Sequence, residues 1–549
     1  MSAVQTRSGV ETNLMKLTHI SISNHSRVAD VAIEVRDHLV LVGANDVGKS
    51  SLLRCIQLVL GASTSQLYSQ ITSDDFRAPD QDLVIEVALD DFTVDEQATF
   101  PDEIDIDPAT LVPSMTLRLT ATIDATDTIN VDRIAVGAGS RRQLSRAQID
   151  AIGWRFLSAT SQARELRDDR RSALTDLLDA VELGPEQPNF DAAIQGLATV
   201  LSSSPVMESV RTDLAAQLTK ALPSAVAKGD LAFVPGSSAE ENVLSDVRLQ
   251  VQKDGSLRDL TAQSDGMRAL YAIALYDLTS SGANVVGIDE PEIHLHPTSQ
   301  RSLARLLRSS SNQKIIATHS PDIVGAFDPD SIVVVKSGGR VVQPQPGFLT
   351  KDERLTVRWW VRDRLEPLTA RHVIAVEGLA DRILIERAAD LTNRTLDRSG
   401  VSLVETNGAG DMGAINTLFG PSGFNVPLSL LIDADAETAT AKKLGVPTAD
   451  LNGHFVWVSQ ADLEDEYVAA IGAVKLQTAF AASSLFSPGQ LANLAVSGPA
   501  GTVTHSDVAA FCRLYKVNSA LVAISILDES AARAITSIEG LLAQVEASL

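Results

Sequence analysis

Gly43, Gly48, Lys49 and Ser50 stand at the spacing G-x-x-x-x-G-K-S, directly after the apolar run Leu39-Val40-Leu41-Val42 and before the helical pattern that starts at Ser51-Leu52-Leu53. A strand, a glycine loop and a helix in that order form a phosphate-binding loop. The glycines let backbone N–H groups turn toward phosphate oxygens, and the helix N-terminus adds its partial positive charge. Gly43, Asn45, Asp46, Gly48, Lys49, Ser50 and Ser51 are therefore the nucleotide-binding candidates, with Lys49 on the β- and γ-phosphates and Ser50 on Mg²⁺. ATP with Mg²⁺ is the implied ligand.

The complementary acids lie far downstream. Asn284-Val285-Val286-Gly287-Ile288 reads as a buried strand ending in Asp289-Glu290. Asp289 is placed to ligate the ion held by Ser50, and Glu290 to polarise the attacking water. A further strand, Lys314-Ile315-Ile316-Ala317-Thr318, delivers His319, which can sense the γ-phosphate and position that water.

A second acidic set follows. Three apolar runs lead into acidic loops: His372-Val373-Ile374-Ala375-Val376 into Glu377-Gly378, Val401-Ser402-Leu403-Val404-Glu405 into Asn407-Gly408-Ala409-Gly410-Asp411, and Pro427-Leu428-Ser429-Leu430-Leu431-Ile432 into Asp433-Ala434-Asp435. In an open parallel sheet such strand ends share one edge. Glu377, Asp381, Asp433 and Asp435 should converge there, and carboxylates that close need protons or a metal to neutralise them. Hard oxygen ligands favour Mg²⁺, with Mn²⁺ as a substitute.

The 549-residue chain is too long for one core, and 44% hydrophobic against 21% charged residues is ordinary globular composition. Cys55 and Cys512 form no disulfide framework. No charged-then-apolar leader opens the sequence, and no run approaches the ~20 apolar residues of a membrane span. A soluble, cytoplasmic protein without a membrane partner is expected. A net charge of −24 argues against a general nucleic-acid coat. Two basic stretches remain as local tracks or solvated helix faces. One holds Arg133, Arg141, Arg142, Arg146, Arg155, Arg164, Arg167, Arg170 and Arg171; the other holds Arg354, Arg358, Arg362, Arg364 and Arg371 around Trp359-Trp360.

Ser264-Asp265-Gly266 at a helix start, 25 residues before Asp289, resembles the signature of ABC-type ATPases. That resemblance implies that Ser264 and Gly266 contact a nucleotide held by another subunit, hence a homodimer, or a tetramer if a second interface exists. The run Asp289-Glu290-Pro291-Glu292-Ile293-His294-Leu295-His296-Pro297 resembles the subgroup related to DNA-repair and chromosome-maintenance ATPases, as does the alternating opening Leu17-Thr18-His19-Ile20-Ser21-Ile22. Glu-Gly at one strand end and Asp-x-Asp at another, 56 residues on, is the arrangement of a TOPRIM domain.

An ABC-type ATPase followed by a TOPRIM domain resembles the OLD (overcoming lysogenization defect) family of nucleases. The resemblance implies that Asp381, four residues after Glu377, joins the metal site; that Glu464 in Asp462-Leu463-Glu464-Asp465 is another ligand; and that Lys516 in Tyr515-Lys516-Val517 stabilises the transition state. The chain reads as α/β in five parts: an N-terminal ATPase part (1–139), a helical insert forming a dimerisation arm (140–238), a C-terminal ATPase part (239–348), a linker helix (349–370) and a Rossmann-like TOPRIM nuclease domain (371–549). The expected activity is an ATP-hydrolysing, Mg²⁺-dependent endonuclease acting on DNA in antiphage defence, alone or with a helicase partner. An RNA nuclease acting on transfer RNA, and a non-cutting ATP-switched scaffold, are the alternatives.

Overall fold

The computed structural model describes residues 15–106, 108–137, 143–157, 181, 183–209, 212, 228–230, 250–253, 256–259, 264–279, 283–351, 353–354, 365–406 and 412–549. The chain divides into two compact units, Met1–Ile149 with Ile315–Leu549, and Asp150–Lys314.

The first unit opens with β1 (Lys16–Ser23), β2 (Val31–Glu34), β3 (Leu39–Val42), β4 (Leu83–Asp90), β5 (Asp105–Ile106), β6 (Pro113–Ile123) and β7 (Ile129–Val136). All but β3 form an antiparallel sheet of order β2-β1-β4-β6-β5, with β7 on β6. Its sequence alternates because one face is buried: Leu83, Ile85, Val87 and Leu89 of β4 point inward. In contrast β3 is buried at every residue, as a strand inside a parallel sheet must be.

The Lys49–Leu60 helix follows the phosphate loop and buries Leu52, Leu53, Ile56 and Val59. Its last carbonyls are capped by Arg133, whose Nη1 donates to Leu58 O, Val59 O and Ala62 O at 3.3, 3.2 and 2.6 Å. Arg133 is 5% exposed, so it belongs to the core and not to a nucleic-acid track. Arg141, Arg142, Arg164, Arg167, Arg170 and Arg171 lie outside the described residues.

The second unit holds β8 (Trp154–Leu157), the antiparallel pair β9 (Gln250–Lys253) and β10 (Ser256–Asp259), and β11 (Val285–Asp289), which runs parallel to β8. A Cβ at Gly287 would stand 2.6 Å from the Trp154 ring, so β11 needs glycine there. The insert contributes the Gln187–Ser203 helix, none of whose residues is buried. Within the expected helical insert, residues 164–178 and 210–222 lie outside the described residues, apart from residue 212.

In the first unit again, β12 (Gln313–Thr318) and β13 (Ile332–Lys336) flank β3 in parallel, and β13 turns back into β14 (Arg340–Val342) through Gly338 and Gly339 at φ 74° and 70°. Beyond them Arg354 is ion-paired to Asp328 and Asp330 at 2.7 and 2.6 Å. It is therefore not a free cation. Trp359, Trp360, Arg358, Arg362 and Arg364 fall outside the described residues.

The C-terminal sheet is β15 (His372–Val376), β16 (Val401–Glu405), β17 (Leu428–Ile432) and β18 (Val456–Val458), in the order β16-β15-β17-β18 and parallel throughout. Helices Leu379–Leu391, Leu463–Ile471, His505–Leu514 and Lys516–Ile526 share one core with it, through Leu384, Ile385, Tyr467, Val468, Phe511 and Ala520. Each fully buried aliphatic side chain there is worth about 1.5–3 kcal/mol. This sheet meets the ATPase strands locally: Lys336 Nζ donates to Asn425 O at 3.2 Å, and Gln345 N–H to Ser422 O at 2.8 Å.

Candidate active sites

The phosphate loop is shaped by close backbone approaches. A Cβ at Gly43 would lie 2.3 Å from Val335 O, and one at Gly48 2.7 Å from Arg27 O with φ at +108°. Only glycine fits either position. Asp46 also adopts a positive φ, 60°, and pairs with Arg27 at 3.4 Å where both are exposed. Lys49 is buried; its Nζ donates to Gly43 O at 3.2 Å and Ala44 O at 2.8 Å, and lies 2.7 Å from His319 Nε2. Ala44, Asn45 and Ser50 are exposed along the same loop. The structure thus brings the loop lysine and the histidine after β12 together.

In the second unit, Asp289 ends β11 and is 8% exposed, with Glu290 half-buried behind it. Glu290 has φ +46° and His294 has φ +64°. Left-handed backbone at a non-glycine residue is strained, and such strain collects at functional turns. The Asp265–Thr279 helix starts beside this turn: a Cβ at Gly266 would stand 2.7 Å from His294 O. Ser264 is exposed at its head, with its carbonyl accepting from Arg268 N–H at 2.9 Å.

At the carboxyl edge of the C-terminal sheet, the Glu377 Oε1 atom accepts from Asp433 N–H at 3.4 Å. Asp381 Oδ2 accepts from Gly378 N–H at 2.9 Å and so caps its own helix. Asp433 Oδ1 accepts from Leu463 N–H at 3.2 Å, which ties the head of the Leu463–Ile471 helix to the same edge. Lys516 Nζ stands between, 3.6 Å from Glu464 Oε1 and 3.9 Å from Asp433 Oδ2. Four of the five expected ligands, Glu377, Asp381, Asp433 and Glu464, therefore gather at one edge, and two of them, Asp433 and Glu464, are paired with one lysine. Asp435 is exposed in the Ala434–Ala436 turn, and among the described residues no hydrogen bond or ion pair joins it to the others.

Burial, then the charge of Glu377, pushes the Asp433 carboxyl up to about 7. Burial likewise raises Asp381 to about 6, against the Gly378 N–H that favours its charged form. Glu464 is raised by burial and held back by Lys516. Burial pulls Lys516 down, but Glu464, Asp433, Asp381 and Glu377 more than offset it and the net shift is upward.

These groups fit a divalent metal by their chemistry. All are hard oxygen donors, and Glu464 Oε2 is buried with no hydrogen-bond partner. The shell is not drawn tight, however. Among the described residues no three His, Cys, Asp or Glu side chains stand at metal-binding spacing, and the lysine supplies the positive charge. A cation brought among them would be met by carboxylates already held at one edge.

Sequence reasoning overlooked Arg513. It binds Asp462 and reaches Asp465 at 3.1 Å, while His505 Nε2 lies 3.0 Å from Asp465 Oδ1. Neither acid is the unsatisfied one of the run; Glu464 is. Glu405 was overlooked as well. It ends β16 opposite Val376 and pairs with Arg382 at 3.3 Å. Its position at a strand end was the available signal.

The family description "AAA domain, putative AbiEii toxin, Type IV TA system" matches residues 39–325, and "Overcoming lysogenization defect protein-like, TOPRIM domain" matches residues 368–435. The chain is 24% identical over 432 residues to the OLD nuclease of Thermus scotoductus, covering 71% of this chain and 77% of that one. It is 26% identical over 178 residues to Endonuclease GajA of Bacillus cereus, covering 31% of each, so that match spans about a third of GajA's length. The solved C-terminal region of the Burkholderia pseudomallei OLD protein is 22% identical with a TM-score of 0.28, over 33% of this chain and 99% of that one. Among the described residues no helix is long and apolar enough to cross a membrane. With the AAA match running over more than half of the chain, this protein belongs to that AAA family, and an OLD-like TOPRIM domain follows the AAA domain.

Proposed function

We propose that this chain is an ATP-controlled, divalent-metal-dependent endonuclease that cuts DNA in antiphage defence. The observation that carries it is the set Glu377, Asp381, Asp433 and Glu464 at one sheet edge, with Lys516 paired to Asp433 and Glu464, in the same chain as a phosphate loop. The OLD nuclease and Endonuclease GajA, by their names, are nucleases, and this supports the reading.

In the nuclease centre, Glu377, Asp381, Asp433 and Glu464, with Asp435 exposed beside them, would hold Mg²⁺ or Mn²⁺. The bound ion supplies an activated water and charge for the leaving oxygen. Lys516, poised on the same carboxylates, is a cation available to the negative charge that develops on the phosphate. Without the ion, Asp433 and Asp381 are raised toward neutrality, so binding the ion would release protons from them.

In the ATPase centre, phosphate oxygens offer Lys49 charged acceptors in place of the neutral carbonyls of Gly43 and Ala44. Ser50 and Asp289 would hold Mg²⁺, Glu290 would act as base, and His319 would sense the γ-phosphate. Ser264 and Gly266 would complete the site from a second copy, making the active form a homodimer or a tetramer.

The test is direct. Purified protein with Mg²⁺ or Mn²⁺ is given supercoiled plasmid, linear DNA and transfer RNA, with and without ATP. Nicking or cutting of DNA that ATP alters and EDTA stops is expected. Cutting of transfer RNA alone, or of nothing, contradicts the proposal.

A further inference from the structure

Four acids stand at the head of the Leu463–Ile471 helix; Glu466 is held elsewhere, accepting from Gln460 N–H and Ser537 N–H at 2.9 Å each, which leaves Asp462, Glu464 and Asp465 beside the metal candidates. Any of them could compete for a cation, and their mutual repulsion would spread them. The structure separates them by partner. Asp462 is the N-cap, its Oδ1 accepting from Asp465 N–H at 2.8 Å, and its Oδ2 is taken by Arg513 Nε. Asp465 Oδ1 is held by Arg513 Nη2 at 3.1 Å and by His505 Nε2 at 3.0 Å. Glu464 is left as the inward acid, its side chain 3% exposed, with Oε2 buried and unpartnered.

Arg513 is well suited to this. Its planar fork can bind two carboxylates at once, which a lysine cannot do. It sits in the last turn of the His505–Leu514 helix, three residues before Lys516, so one short stretch carries both cations. Lys516 Nζ then reaches Glu464 and Asp433, while Arg513 removes Asp462 and Asp465 from the contest.

We infer that Arg513 is a positioning residue for the nuclease centre: by clamping Asp462 and Asp465 it selects Glu464 as the carboxylate offered to the metal. The inference rests on the nuclease reading above, and extends it to a residue that touches neither substrate nor ion. Outer-shell partners of metal ligands typically carry a 10–100-fold effect on metal affinity.

The experiment measures Mn²⁺ binding to the full chain without nucleic acid, by electron paramagnetic resonance, for wild type, Arg513→Met, Arg513→Lys and Asp433→Ala. Arg513→Met keeps the apolar stem and loses the fork; its Mn²⁺ half-saturation should rise about 10–100-fold. Arg513→Lys keeps the charge but cannot bridge two acids, and should weaken binding by about 3-fold or more. ATP turnover should stay at the wild-type level in both. In cleavage, the Mn²⁺ concentration for half-maximal rate should move while the rate at saturating Mn²⁺ holds. Wild-type Mn²⁺ affinity in Arg513→Met, with binding lost in Asp433→Ala, would overturn the inference and leave the nuclease reading standing. If Arg513→Met does not fold, wild-type affinity in Arg513→Lys overturns it equally. Undiminished binding in Asp433→Ala would remove both.

Discussion

Lys49 Nζ stands 2.7 Å from His319 Nε2. A charged lysine ammonium has only donors, so it is the histidine Nε2 that would accept from it. The loop lysine and the strand-end histidine are therefore already in register before any phosphate arrives. His319→Ala should lower ATP turnover by about 100-fold with little change in ATP affinity. Lys49→Ala should abolish binding. Equilibrium binding and steady-state hydrolysis measured side by side check both; equal turnover in His319→Ala would make the histidine structural.

Glu290→Gln should bind ATP normally and hydrolyse it about 100- to 10,000-fold more slowly, the usual loss for a missing general base. The left-handed backbone at Glu290 adds a second expectation. Glu290→Gly should relieve strain and raise thermal stability while still failing to hydrolyse, as scanning calorimetry would show.

Ser264 and Gly266 complete a nucleotide site only if a second copy supplies them. Sedimentation with ATP and Glu290→Gln should show at least a dimer. A monomer in every nucleotide state would remove the assembly and with it the signature assignment.

The carboxylate edge makes the metal-free protein pH-sensitive in a definite direction. Asp433 and Asp381 have folded pKa values near 7 and 6, above the ordinary carboxylate value of about 4. Between those limits the folded chain keeps protons that the unfolded chain has lost, so stability falls as pH rises through about 4 to 7. In EDTA the melting temperature should be lower at pH 8 than at pH 5.5 for this reason. Asp433→Asn should flatten the trend and raise stability at pH 8, and Mg²⁺ should restore much of the wild-type loss.

The phosphate loop was legible in the sequence because its chemistry is local: glycine spacing, a buried strand before it and a helix after it. The parallel C-terminal sheet was legible for the same reason, since β15, β16 and β17 are largely apolar runs leading into acidic loops. What escaped was set by partners distant in the chain. Arg133 read as part of a basic track, yet it caps a helix more than 70 residues earlier. Which of Asp462, Glu464 and Asp465 keeps an unpartnered carboxylate oxygen depends on Arg513, about 50 residues on, through contacts that no local pattern encodes. Asp435 follows the strand-end logic, but the Ala434–Ala436 turn carries it to the surface.

The account turns on Asp433. Cleavage by Asp433→Ala should be measured at saturating Mn²⁺ on every substrate that the wild type cuts, with ATP turnover recorded in the same preparation. The proposed mechanism predicts no detectable cutting beside ATP turnover within about 2-fold of wild type, because loss of a metal ligand disables water activation and leaves the phosphate loop untouched. Undiminished cutting would place the nuclease centre elsewhere and contradict the account.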